Sequence, residues 1–445
     1  MAVQSPVRRN SELRLLIVAL IVGGGAIAIV ALARDIDDRL SLAAPLIGTV
    51  ALGYAGAHIL VRKVARQSDP LILPLIASLN LIGLAAVYRL APEPDGFGPA
   101  QVVWTAVGLL CFAVTLIFLK DHRILARFKY ILGFAGVVLL LLPLSPLGTT
   151  INGARLWLRF GSYGFQPGEL AKICLVIFFA AYLSERKELL AIASRKLGPI
   201  HIPDPKHFGP LLLMWGVSLL TMFYLRDLGS SLLFFSIFLV MIYVATARIV
   251  YVAFGGVLFA AGATIGYSLF SHVQLRVQTW IDPFNPDYIQ SDSFQLTQSL
   301  FAFATGGLFG TGWGQGRPDI IPAAQTDFIF AVIGEELGLM GAAAVIIIFL
   351  LLIARGFRIA LNCRNDFGQL LACGLTAIFA IQTFIILGGV TRVLPLTGIT
   401  LPFMSFGGSS LLSNFILWAI VIRISDQNAS EPDPARTGEI LIGGR

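Results

Sequence analysis

Charged side chains are scarce: Asp, Glu, Lys and Arg make up 13% of the 445 residues, against 56% hydrophobic. A soluble domain carries about a quarter charged residues, so this chain has more apolar surface than one soluble core could hide. With a mean hydropathy of +0.82 it reads as a polytopic membrane protein without a separate soluble domain. Cysteine is rarer still. Cys111, Cys174 and Cys373 fall inside apolar segments and Cys363 in a short basic loop, with no CxxC pair, so no disulfide or zinc framework follows. The five histidines, His58, His122, His201, His207 and His272, show no HExxH or other ligand spacing, and no structural metal is expected. Also missing are an internal repeat and the period-2 alternation of a membrane barrel. The net charge of +7 is divided among short clusters between apolar runs, which points to membrane topology and away from nucleic acid.

What is abundant is apolar sequence in spanning lengths. Runs at 14–33, 41–61, 71–90, 102–119, 129–146, 169–185, 208–225, 229–246, 249–270, 328–354, 367–389 and 401–424 predict about twelve transmembrane helices in an all-α bundle. The first run follows Arg8 and Arg9 and ends in Ala31-Leu32-Ala33, imitating a secretory signal. It is longer than the 7 to 15 residues of a signal's apolar region, about the length a span needs, and is read as an uncleaved helix. Residues 1–68 are expected to hold a cytoplasmic segment and an appended helical pair, 69–424 the main bundle, and 425–445 a polar, disordered tail.

Lysine and arginine alternate between loops. One set holds Arg62-Lys63-Arg66, Lys120-Arg123-Arg127-Lys129 and Arg186-Lys187-Arg195-Lys196; the other is sparser. The rule that basic loops stay inside predicts that both termini are cytoplasmic. The long segment 271–327, the segment 147–168, the turn near Asp227 and the turn 391–400 would then share the outer face.

The stretch 271–338 is the one long polar interval. Trp280-Ile-Asp282-Pro283 and Asn285-Pro286-Asp287 place two carboxylates in a proline-stiffened turn, as a general base requires, although a loop aspartate also serves ordinary Asx-turns. Asp327 stands where the chain re-enters the membrane, in the position of an N-cap, next to Thr326. Glu335 and Glu336 lie more than two turns deeper among apolar neighbours, where an ionisable group defaults to a functional hypothesis. Glu169 and Lys172, three residues apart inside another span, form either a functional pair or an ion pair that fixes packing. Arg155 and Trp157 suit an amphipathic element lying in the interface, and Pro167 suits the first turn of the helix that follows. Asp227 after Arg226 reads as a helix cap or a site residue. Ser405 and Ser409, in Ser-Phe-Gly-Gly-Ser-Ser early in the last helix, suit close helix packing.

Five motifs in order, NGARLW with FQPGELAK, RDLGSSLLFF, FQLTQSLFAFATGGLFGTGWGQG, QTDFIFAVIGEELG and LPLTGITLPFMSFGGSS, resemble landmarks of the SEDS (shape, elongation, division, sporulation) family over residues 71–424. The RodA-like branch fits better than the FtsW-like one, and the two extra N-terminal helices are similar to actinobacterial members. The resemblance implies a ten-helix core and a peptidoglycan glycosyltransferase that polymerises lipid II during cell elongation, at the outer face of a bacterial cytoplasmic membrane. It also implies a class B penicillin-binding protein as partner. The family's essential aspartate lies between an aromatic-Asp/Asn-Pro turn and a Gln-Leu-Thr-Gln helix, which implies Asp287, with Asp282 second. Pyrophosphate would be met by Arg155, Arg159, Lys172 and Arg226, with a divalent cation (Mg or Mn) as a further source of charge. Trp157, Glu169, Asp227, Gln295, Thr326, Asp327, Glu335, Ser405 and Ser409 complete the expected substrate contacts. Leu156 stands where family members often carry Arg, leaving one fewer phosphate ligand, and Thr397 stands where FtsW-like proteins carry Lys. A lipid II flippase and a non-catalytic scaffold remain the alternative readings.

Overall fold

The computed structural model describes residues 4–33, 39–91, 93, 96–151, 154–160, 163–192, 194–197, 200–203, 216–217, 224–225 and 227–430. Within them lie fourteen α-helices: α1 Gln4–Leu32, α2 Arg39–Val64, α3 Ile72–Leu90, α4 Phe97–Phe118, α5 Ile124–Arg127, α6 Lys129–Leu141, α7 Pro167–Ile192, α8 Leu228–Thr246, α9 Ile249–Leu269, α10 Ser271–Ile281, α11 Phe294–Gly306, α12 Ile329–Leu361, α13 Asp366–Val390 and α14 Gly408–Ser430. Ten of these are long and apolar enough to cross a membrane. They coincide with ten of the twelve predicted runs. The run at 129–146 forms the shorter apolar helix Lys129–Leu144, whose last turn is a 3-10 turn containing Pro143. Most of the run at 208–225 lies outside the described residues.

The core gathers where α12, α13 and α14 meet. Trp418 sets its ring edge-on to Phe379 at 5.3 Å, Phe379 contacts Phe349 and Phe403, and Phe403 meets Phe415 at 5.1 Å. A β-carbon on Gly83 would stand 2.4 Å from Met404 Cα, so α3 reaches the segment before α14 only because glycine is there. Polar links between helices are placed at packing seams. Tyr54 of α2 donates to Asn80 of α3 at 3.0 Å, and Asn80 donates to Thr105 of α4. At the end of the bundle holding the start of α1, Arg9 donates to the carbonyls of Ala65 and Ser68 and pairs with Glu12, which also meets His58 at 2.8 Å. The first two helices are therefore bonded to the bundle at mid-depth and at one end.

Four local features differ from the sequence expectations. The segment expected as an interfacial amphipathic element is a three-stranded antiparallel sheet, β1 Gly148–Ile151, β2 Ala154–Phe160 and β3 Tyr163–Phe165, pairing Thr149 with Trp157 and Leu158 with Phe165. Arg155-Leu-Trp157-Leu-Arg159 alternates polar or aromatic with apolar residues, which is strand periodicity. A second hairpin, β4 Ser194–Leu197 with β5 Ile200–Pro203, lies after α7. The last helix begins at Gly408 rather than 401, because Leu401–Ser405 forms a turn in which Ser405 Oγ accepts the Leu401 amide. It continues to Ser430, so the predicted tail is helical over 425–430, and 431–445 lies outside the described residues.

Candidate active site

The segment 271–327 is folded, with α10 and α11 as two arms joined by the turn 282–293. Ser293 Oγ and Thr297 Oγ1 both donate to the Pro283 carbonyl, at 2.7 and 2.9 Å. Asn285 Oδ1 accepts the Asp287 amide at 3.0 Å, and the Asn285 carbonyl accepts the amides of Tyr288 and Ile289. Prolines and Asx-type capping thus give a stiff turn that leaves the side chains of Asp282 and Asp287 exposed. Neither carboxylate accepts a hydrogen bond among the described residues. Gln295, one residue into α11, is half-buried.

Beneath α10 three charged groups from separate elements converge. Asp227 caps α8, accepting the Ser230 amide at 2.9 Å and the Ser230 hydroxyl. Asp327 lies two residues before α12. Arg276, on α10, donates to the Leu396 carbonyl at 3.0 Å and interacts electrostatically with both carboxylates. Burial lowers the Arg276 pKa, an effect the two carboxylates oppose. Burial likewise raises Asp227, opposed mainly by Ser230, and raises Asp327 to about 6, opposed by the Thr326 hydroxyl and Arg276. Thr397, 5% exposed, has its hydroxyl buried close to the start of α8 without a partner among the described residues.

The Asp327 shift makes a stability prediction. An acid whose folded pKa is raised contributes stability that is fully present below the ordinary value of 3.8 and lost as pH rises to about 6. The loss is at most about 3 kcal/mol, less for a half-buried group. Asp327→Asn should therefore raise Tm relative to the parent at pH 7.5 and do so much less at pH 4.5. An equal difference at both values would show that Asp327 ionises normally.

Deeper in the bundle a buried polar chain joins three helices. Lys172 Nζ lies 2.8 Å from Glu169 Oε2 and donates to Gln382 Oε1 at 2.8 Å; Ser413 donates to Glu169 at 3.0 Å, and Gln382 donates to the Thr400 carbonyl at 2.9 Å. Ser409 Oγ accepts the Gln166 amide at 2.8 Å, just ahead of Pro167, which opens α7 as expected. Ser405 donates to the Thr326 carbonyl, and the Phe406 amide donates to the Gln325 carbonyl at 2.7 Å. Both serines join segments far apart in sequence. Ser405 does so from the turn before α14, not from within the helix as predicted.

The glutamates of α12 have structural partners that the sequence did not reveal. Glu335 accepts the Arg317 amide at 2.8 Å, and Glu336 accepts the Gly314 amide at 3.1 Å and Arg89 Nε at 3.0 Å. Arg89 also donates to the Gly316 carbonyl at 2.8 Å. The helix breaks beside them at Gly338 (φ 66), and that backbone, closed to residues with a β-carbon, lets the 307–317 segment lie against α12. Glu335, expected to bind substrate, has one oxygen holding this glycine-rich segment.

Of the four cations expected at pyrophosphate, Lys172 is engaged by Glu169 and Gln382. Arg155 donates to the Ser145 carbonyl at 2.8 Å. Arg159 is exposed without a partner among the described residues, and Arg226 lies outside them. Trp157 packs its ring against Gly164 between the strands. Arg276, Gln382, Ser413 and Arg89 were absent from the expected contacts. Arg89, a lone charge at the end of an apolar run, carried the signal that could have found it. Among the described residues no three His, Cys, Asp or Glu side chains form a metal-binding group.

Fold and site together define a multi-pass membrane protein with a polar, loop-covered site at one end of its bundle. The chain belongs to the FtsW/RodA/SpoVE cell cycle protein family, whose sequence profile matches residues 69–430. It is 46% identical over 430 residues to the peptidoglycan glycosyltransferase RodA of Mycobacterium tuberculosis, covering 94% of this chain and 91% of that protein. Among solved structures it resembles a chain of a peptidoglycan synthase complex that coordinates polymerization and crosslinking, with TM-score 0.67, 27% identity, and coverage of 82% of this chain and 99% of the other. The rod shape determining protein RodA of Thermus thermophilus gives TM-score 0.57 and 25% identity, with coverage of 82% and 98%.

Proposed function

We propose that this chain is a peptidoglycan glycosyltransferase that polymerises lipid II at the outer face of a bacterial cytoplasmic membrane, serving cell elongation. The observation that carries this reading is the 46% identity to a protein of that name along 94% of the chain. The stiff turn holding Asp287 supports a mechanism. Its carboxylate takes the proton from the 4-hydroxyl of the acceptor GlcNAc, and the oxygen forms a bond to C1 of the donor MurNAc. The bond from C1 to pyrophosphate oxygen breaks, and undecaprenyl pyrophosphate leaves with its electron pair. Arg159, exposed and uncommitted, is the described cation best able to meet the leaving group, with Arg155 beside it on β2. A class B penicillin-binding protein, crosslinking the product, is the partner. Fluorescent lipid II supplied to the purified chain with that partner should yield glycan ladders.

The buried pairs Glu169–Lys172 and Arg89–Glu336 also suit a flippase. Yet each pair lies near the site end of the bundle, whereas a translocation path needs polar lining throughout its depth. Movement of lipid II without polymer would favour the flippase.

The topology that puts this site outside has both termini and the β4–β5 hairpin in the cytoplasm. Single cysteines at Lys196→Cys and Gln290→Cys in a background without the native thiols test it with a membrane-impermeant maleimide. Intact cells should label at 290 and stay protected at 196. Labelling at 196 would reverse the orientation and remove the site from the side where glycan is made.

A further inference from the structure

Arg392 follows α13 in the left-handed region, with φ 62, a conformation disfavoured for any residue with a β-carbon. Its side chain spans to the last two residues of α10. Nε donates to the Trp280 carbonyl at 2.9 Å and Nη2 to the Ile281 carbonyl at 2.5 Å, while the Arg392 carbonyl accepts Trp280 Nε1 at 3.1 Å. Carbonyls at the end of a helix have no helical donor, and a cation there complements the helix dipole. Two residues earlier, the Val390 carbonyl accepts Ser299 Oγ of α11 at 3.4 Å. One short turn therefore bonds both arms of the segment whose tip carries Asp282 and Asp287.

α10 needs such ties. The preceding helix, α9, is largely exposed and connects through an extended Phe270, and the bond from Gln274 Nε2 to the Tyr267 carbonyl at 2.8 Å ties the start of α10 to that exposed helix alone. Another tie from α10 to the 391–400 segment is Arg276, at the middle of the helix, one turn before the end that Arg392 holds.

We propose that Arg392 is a positioning residue: its guanidinium fixes the end of α10 and thereby the Asp282–Asp287 turn, the strained backbone being retained to aim it. This rests on the glycosyltransferase reading above. Asp282 is where α10 stops, and the turn beyond it is already stiff. A displacement of the helix end therefore carries the carboxylates with it instead of being absorbed. An arginine that merely rests on nearby carbonyls would be dispensable, and replacing it would relieve strain at no cost to activity.

Arg392→Gly separates the two, because glycine accepts the backbone conformation while removing both side-chain donors. In the full chain with its transpeptidase partner, Tm should equal or exceed that of the parent. Amide exchange over residues 281–289 should accelerate. The kcat for fluorescent lipid II should fall about tenfold to a hundredfold, the loss expected from a misplacement of about 1 Å, with KM changing less than about threefold. Arg392→Lys, which keeps a cation and one donor at the helix end, should recover part of kcat. The proposal requires both faster exchange and lower kcat; either without the other overturns it. A parent chain that makes no glycan sinks the glycosyltransferase reading instead, and the exchange measurement still judges the clamp.

Discussion

Asp287→Asn is expected to fold, reach the membrane, co-purify with its partner and make no detectable glycan. The substitution preserves size and removes the basic oxygen. A positioned general base contributes about 10² to 10⁴ in rate, and a loss of that order leaves a ladder assay blank. The fold should be indifferent to it. The Asp287 carboxylate holds nothing among the described residues, and the turn is held by Asn285, Ser293 and Thr297, with the Asp287 backbone amide as the one atom it contributes. Asp282→Asn should do far less, since Asp282 serves the turn through its backbone, capping α10 with an amide bonded to Gln278. A reversed pattern, with Asp282→Asn dead and Asp287→Asn active, would move the base by five residues and leave the mechanism otherwise intact. Normal polymerisation by both would shift attention to Asp327, whose pKa of about 6 suits a base near neutral pH.

How much of this was legible in the sequence depended on whether the signal was local. Spans announce themselves by length and hydropathy, so ten of the predicted runs have counterparts. Asp227 before Gly229-Ser230 was readable as a cap because capping is decided within three residues, and the structure has that cap. The β1–β3 sheet was missed although Arg155 to Arg159 alternate, because one aromatic among arginines at a membrane boundary suggests an interfacial helix as readily as a strand. The backbone partners of Glu335 and Glu336 could not have been read. They are backbone amides some twenty positions earlier, brought near only when Gly338 breaks the helix and the glycine-rich segment folds back. The same holds for Arg392. Nothing local pairs it with Trp280, 112 positions away.

Lys172→Ala should cost about 3 to 5 kcal/mol of stability, a large share of the roughly 5 to 15 that hold a folded protein together. The sequence left Lys172 either a ligand for pyrophosphate or half of an ion pair. The geometry makes the second role definite without abolishing the first. Lys172 and Glu169 are 2.8 Å apart, and both are nearly inaccessible, with side chains 5% and 8% exposed. Removing the ammonium leaves a buried carboxylate with only the Ser413 hydroxyl to answer it, and strands the Gln382 carbonyl oxygen as well. Removing both charges is a different experiment. Lys172→Met with Glu169→Gln keeps volume while removing both charges, and most of the lost stability should return, because buried pairs contribute little beyond their own desolvation cost. Thermal melts and monodisperse yield of the three proteins read the structural role, and the double variant's polymerisation reads the chemistry free of it. A stable double variant with parental activity confines Lys172 to packing; one that is stable and slowed tenfold or more gives it a contact with the leaving group. If Lys172→Ala alone is as stable as the parent, the ion pair does not support the fold, and Glu169 must find its compensation from water reaching the site.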